Sequence, residues 1–228
     1  MGALPFAAVI FDLDGTLVAT DSFWVVAAER GARRAFGELG IERELPTARE
    51  WMALVGQPLA RGFERLFPEL PEVQRERVMA RCVEESHAAM RAGGAVEMPG
   101  ASEVLRELRA RGVKLGIASN CAQAYLDSML RTLQLGELVD EARCLQSPGV
   151  ANKADMLADL LDTFGTTSAV MVGDRASDGA AARANGLPFV HLASGFAPED
   201  ERIECDTRIG ALAELLSTLE RGLGGLRR

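Results

Sequence analysis

Four short apolar runs constrain this chain more than any other feature: AAVIF (7–11), VKLGIA (113–118), AVMV (169–172) and PFVHL (188–192), with a weaker candidate at 141–145. Each is brief, nearly unbroken and bounded by turn residues, the pattern of a strand buried on both faces of a parallel sheet. Helical patterns at 101–111, 121–134, 153–164 and 178–185 fall between them. Strand and helix therefore alternate as in a doubly wound α/β fold.

One stretch breaks the alternation. From about 19 to 94 no strand pattern occurs, only helical segments at 22–39, 47–55, 58–66 and 71–91, punctuated by Gly40, Gly56, Pro58, Pro68 and Pro71. Such punctuation separates helices. An all-helical insertion is expected after the first strand, with Gly93-Gly94 and Pro99-Gly100 as return linkers and the tail GLGGLRR (222–228) frayed.

With 228 residues, 48% of them hydrophobic, the chain can bury a large core. Its formal net charge of -8 and the lack of a dense Lys/Arg patch argue against a nucleic-acid or acidic-membrane binder. The four cysteines are scattered, with no Cys-x-x-Cys and no clustering with His87 or His191, which suggests neither a zinc site nor a disulfide framework. The N-terminal apolar stretch runs straight into Asp12 and reads as a strand, not a signal peptide or membrane span. A cytoplasmic protein is expected.

The first run ends in two carboxylates, Asp12 and Asp14, whose repulsion asks for a cation, a shared proton or a substrate. Residues two apart in a strand point to one side, and ligands of open α/β sheets bind at the strands' carboxyl ends. The other runs end in kind: 113–118 in Ser119-Asn120, and 169–172 in Gly173-Asp174 with Asp178 beyond, while Lys153 opens a helix. Singly, each has a plainer account. Ser119 could cap a helix, Asp178 could sit in a favourable first turn, and Lys153 could be solvated, although a cation there opposes the helix dipole. Together, three carboxylates and a main-chain carbonyl suit Mg²⁺, and Ser119, Lys153 and backbone amides suit phosphoryl oxygens.

DLDGTL (12–17), IASN (117–120), Lys153 and VGDRASD (172–178) resemble, in order, the four motifs of the haloacid-dehalogenase superfamily phosphatases. The insertion resembles the helical cap of the phosphoglycolate phosphatase and β-phosphoglucomutase branch. The resemblance implies a doubly wound, mainly parallel Rossmann-like core (1–18 and 95–228) carrying an all-helical cap domain (19–94). It also implies roles: Asp12 as nucleophile forming an aspartyl-phosphate, and Asp14 as acid, then base. Mg²⁺ would be held by Asp12, the carbonyl of Asp14, Asp174 and Asp178, and phosphate by Thr16, Ser119, Asn120 and Lys153.

Two departures from the family pattern stand out. Ala19-Thr20 occupies the place where an acidic pair is common, so the cap's approach could differ. Lys153 is followed by Ala154-Asp155 in place of the frequent proline, which leaves the helix start less constrained.

The expected activity is Mg-dependent hydrolysis of a small phosphorylated metabolite, with phosphoglycolate as the default from resemblance, by a monomer or homodimer. A phosphomutase is the alternative within catalysis, and a phosphoacceptor signalling module the alternative outside it. Arg61 is a candidate for contacting a substrate carboxylate or hydroxyl, against a plain solvated arginine. Trp24 and Trp51 are expected in cap packing, and Cys121 either as packing or as an acidified thiol at a helix start.

Overall fold

The structure, a computed structural model, describes residues 4–223. Most of the expected frayed tail therefore lies outside the described residues. Strand β1 (Ala8–Phe11) is followed by α1 (Trp24–Leu39), α2 (Ala48–Met52), α3 (Leu59–Leu66) and α4 (Glu72–Arg91) before the next strand. Then come α5 (Ala101–Ala110), β2 (Lys114–Ser119), α6 (Gln123–Thr132), β3 (Glu141–Cys144), α7 (Lys153–Phe164) and β4 (Ala169–Gly173). The chain continues through α8 (Ala176–Ala184), β5 (Phe189–Leu192), β6 (Thr207–Ile209) and α9 (Leu215–Glu220).

Among the described residues six strands form one parallel sheet in the order β3-β2-β1-β4-β5-β6, which puts β1 in its interior. Alternation along the strands builds two cores. Val9 and Phe11 of β1 and Val170 and Val172 of β4 pack with α5, α6 and α9, whereas Ala8, Ile10, Ala169 and Met171 pack with α7 and α8. Each large apolar side chain buried this way contributes roughly 1.5–3 kcal/mol relative to exposure. The expected doubly wound arrangement is thus observed.

The first of these cores runs on into the helices between β1 and α5. Trp51 meets Phe63 and Phe67 at ring-centroid distances of 6.0 Å each, and Trp24 meets Trp51 edge-on while its Nε1 donates to the Trp51 carbonyl at 2.9 Å. Both tryptophans therefore serve packing, as expected, although Trp24 also borders a cavity described below. Helices α1 and α4 approach closely through Ala28, Gly31 and Ala32. A Cβ on Gly31 would collide with the backbone of Cys82, whose Sγ lies 3.3 Å from the Ala28 carbonyl. The segments entering and leaving this helical region are paired: Ala19 N–H donates to the Val96 carbonyl and Met98 N–H to the Leu17 carbonyl, each at 2.9 Å.

Some boundaries differ from the sequence expectation. Helix α6 starts at Gln123, with Ala122 at its N-cap, so Ser119 and Cys121 precede the helix and neither caps it. Strand β6 lacks an apolar run and is held by pairing to β5 at the sheet edge, a contact no local pattern announces. The start of α7 is better fixed than the missing proline suggested. Asn152 Oδ1 accepts from Ala154 and Asp155 N–H (2.8 and 3.2 Å), and Asp155 accepts the Asn152 N–H, a reciprocal cap that does the work a proline would do.

Candidate active site

The ends of β1, β2 and β4 gather the residues singled out in the sequence. Asp12 follows β1 and still bonds the sheet, its N–H donating to the Val172 carbonyl at 2.9 Å. The chain then turns tightly, with Leu17 and Val18 N–H both donating to the Leu13 carbonyl at 2.9 Å. Gly15 holds φ at 81°, and a Cβ there would sit 2.5 Å from Asp174 Oδ2. Only glycine permits this approach of the turn to a carboxylate.

Asp12, Asp174 and Asp178 lie buried with one carboxylate oxygen of each within 4.8 Å of the others. Lys153, reaching from the first residue of α7, donates to Asp12 Oδ1 and Asp178 Oδ1 at 2.6 Å each. Asp178 Oδ2 accepts the Arg175 N–H at 2.9 Å, so this carboxylate caps α8 as well as facing the cluster. Asp12 Oδ2, both oxygens of Asp174 and the Thr16 hydroxyl are buried without a hydrogen-bond partner among the described residues.

Burial pushes Asp12 up to about 7, Lys153 pulling it down and Asp178 pushing it up. Burial likewise raises Asp174, with repulsion from Asp12 and Asp178 adding to it. Desolvation lowers Lys153, but the two carboxylates more than offset this and hold its ammonium above the ordinary lysine value. The three carboxyls outnumber the one lysine, so ionising them together needs a further cation, and their orphaned oxygens are hard donors. A divalent cation such as Mg²⁺ fits both needs.

Asp14 faces a different set of neighbours. Its Oδ1 accepts from the Thr20 hydroxyl at 2.7 Å and the Tyr125 hydroxyl at 2.5 Å. Burial raises its pKa, and these two hydrogen bonds oppose the rise. A carboxyl held this way suits proton exchange with an oxygen in front of it. Tyr125 was not anticipated, since a lone tyrosine in the helical pattern 121–134 carries no signal of what it faces.

Ser119 is buried at the end of β2. Asn120 turns the other way: its amide donates to the Gly56 carbonyl at 3.1 Å, tethering the α2–α3 turn. Arg175 also grips that turn through the Val55 carbonyl, while its Nε donates to Glu201 at 2.8 Å. Arg61 is exposed on α3. Burial pushes the Cys121 thiol well up, with Asp14 adding to the shift, the opposite of an acidified redox thiol. All four cysteines are free, and no described helix is long and apolar enough to cross a membrane.

A family model described as haloacid dehalogenase-like hydrolase matches residues 9–192, a span holding every one of these site residues. The chain belongs to that family. Among its relatives, the phosphoglycolate phosphatase of Rhodospirillum rubrum is 29% identical over 208 residues, covering 84% of this chain and 81% of the relative. The tyrosine-protein kinase PtkA of Mycobacterium tuberculosis is also 29% identical, over 220 residues, covering 95% of this chain and 72% of the relative. The crystal structure of a predicted phosphoglycolate phosphatase from Haemophilus somnus superposes with a TM-score of 0.82 at 20% identity, covering 95% of this chain and 99% of that one. That likeness speaks to the fold. Family membership and the relatives together make this haloacid dehalogenase-like protein a phosphatase-type hydrolase, of the phosphoglycolate phosphatase-like branch.

Proposed function

We propose that the protein is a Mg²⁺-dependent phosphatase that hydrolyses a small phosphorylated metabolite through an aspartyl-phosphate at Asp12. The observation that carries this reading is the buried group of Asp12, Asp174 and Asp178 at the strand ends, with orphaned carboxylate oxygens beside a lysine.

An oxygen of Asp12 attacks phosphorus, the bond from phosphorus to the leaving oxygen breaks, and Asp14 supplies the proton that oxygen needs. Water then attacks the same phosphorus and gives its proton to Asp14. The bond from phosphorus to Asp12 breaks, which releases phosphate and restores the Asp12 carboxylate and the protonated Asp14. Lys153 and Ser119 bind phosphoryl oxygens and stabilise their charge. Thr16, whose buried hydroxyl lacks a partner, and the backbone at Asn120 complete the cradle; the side-chain amide of Asn120 is turned to Gly56. Tyr125 and Thr20 orient Asp14. Mg²⁺ would be held by Asp12, the main-chain carbonyl of Asp14, Asp174 and Asp178, and when bound it offsets repulsion between the nucleophile and the phosphate.

The same reading divides the chain into a core (1–18 and 95–228) and a cap (19–94). The antiparallel pairing of the entering and leaving segments supports a boundary there. Scattered free thiols and the net charge of -8 support a cytoplasmic enzyme, monomer or homodimer, that works on small molecules without nucleic acid or membrane.

A second reading keeps this machinery but passes the phosphoryl group to an acceptor other than water. That acceptor is a second hydroxyl, as in a phosphomutase, or a protein side chain, as the kinase-named relative suggests. Phosphate release from acetyl phosphate with Mg²⁺, wild type beside Asp12→Asn, tests the first reading. Release by the wild type alone supports it, and equal release by both proteins contradicts it. Phosphorylated product without free phosphate favours the second.

A further inference from the structure

We infer that the substrate is the phosphate monoester of an uncharged, predominantly apolar alcohol of aromatic or branched-chain size, not a short phosphorylated carboxylic acid. The inference rests on the phosphatase reading and concerns the half of the site that receives the leaving alcohol.

Between the strand ends and helices α1, α3 and α4 lies a cavity of about 480 Å³, in the range of pockets that enclose drug-sized ligands. Asp14 and Ser119 border it, so it opens on the proposed proton donor and phosphate cradle. Much of its wall is Trp24, Leu54, Val55, Leu59, Met79 and Val83. Among the described residues no lysine or arginine lines it.

The basic groups nearby are turned to other tasks. Arg61 is exposed and absent from the lining. Arg65 donates to Gln57 Oε1 at 2.9 Å, and the Gln57 amide in turn donates to the Ala53 carbonyl. His87 is the one imidazole in the lining, and burial, with Arg91 adding, lowers its pKa, which favours the uncharged ring.

An ionised carboxylate entering this cavity gives up its hydration and meets no cation. Asp14 at the border, protonated when it serves as the acid, supplies no cation either. Hydrocarbon entering it trades water for an apolar wall and is favoured in proportion to the area covered. Ser86 and His87, both in the lining, can accept or donate to one hydroxyl on the alcohol.

The test uses the full chain with Mg²⁺ and two paired comparisons. In calorimetry, phenethylphosphonate and 3-phosphonopropionate stand in for benzyl phosphate and 2-phosphoglycolate without being hydrolysed. Binding of the first at least about tenfold tighter is expected, and equal or reversed affinity overturns the inference. In turnover, kcat/KM for benzyl phosphate should exceed that for 2-phosphoglycolate by about 100-fold, a ratio within reach of an apolar pocket.

Acetyl phosphate, whose small acyl group has no need of the cavity, reports the phosphatase chemistry alone. If it turns over while the benzyl preference is missing, the inference fails and the phosphatase reading stands. If it does not turn over but phenethylphosphonate keeps its binding advantage, the phosphatase reading fails and the character of the cavity stands. Val83→Arg, which places a cation in the wall, should shift the turnover ratio toward 2-phosphoglycolate at least about tenfold. An unmoved ratio in a folded variant counts against the inference.

Discussion

The floor and the roof of this site are built from opposite materials. The floor, at the ends of β1, β2 and β4, concentrates three buried carboxylates and a lysine with oxygens left unpaired. The roof, formed by α1, α3 and α4 over the cavity, offers mainly hydrocarbon and, among the described residues, no lysine or arginine. On the proposed reading, floor electrostatics act on the phosphoryl group every substrate shares, whereas roof shape acts on the alcohol that distinguishes one substrate from another. The contrast teaches that the reaction and the choice of substrate are separable here. A change in one region should leave a recognisable mark that a change in the other does not.

The most severe way to probe that contrast is at the floor. Asp12→Asn removes the attacking oxygen's charge while preserving shape, and phosphate release should fall by at least about 10⁴-fold with circular dichroism unchanged. Chelation of divalent cations should come next. Turnover of acetyl phosphate should drop by about 10³-fold and return with added Mg²⁺, because the carboxylate cluster otherwise repels the incoming phosphate. Activity that survives exhaustive chelation would separate the acidic cluster from metal binding.

Tyr125→Phe lies where floor meets roof. Losing its hydrogen bond to Asp14 should lower kcat about tenfold with little change in KM, measured by steady-state kinetics. A change in KM alone would move Tyr125 from positioning the acid to packing the substrate.

The mildest effect belongs to the roof's own support. Gly31→Val forces a branched side chain against the Cys82 backbone and should lower the melting temperature by roughly 3–10 °C. Acetyl phosphate turnover per folded molecule should then stay within about twofold. A larger loss would mean that the α1–α4 contact also positions the floor.

The sequence disclosed these two regions unequally, for a physical reason. Strand-end chemistry leaves short local signals: an apolar run, then Asp12 and Asp14, or Gly173 and Asp174, with no need to know what lies across the sheet. Even the position of Lys153 could be questioned locally, because a cation opposing the helix dipole needs an anion, and the structure supplies Asp12 and Asp178. Asn120 and Arg175 show the limit. Both sit inside recognisable motifs, yet their side chains reach the carbonyls of Gly56 and Val55 across a distance no spacing encodes.

The roof was harder still. Helices were legible from 3.6-residue periodicity, but which residues of α1, α3 and α4 turn toward the cavity depends on how the helices cross. The Thr20 and Tyr125 contacts to Asp14 and the edge strand β6 went unseen for the same reason: each exists through a tertiary partner.

The most direct test of the account is to trap the proposed covalent intermediate. Wild-type protein would be mixed with acetyl phosphate and Mg²⁺, quenched in the steady state, reduced with borohydride and mapped by mass spectrometry. Reductive modification of the carboxyl at Asp12 and nowhere else is expected. Turnover with an unmodified Asp12, or with modification at a different carboxylate, would contradict it.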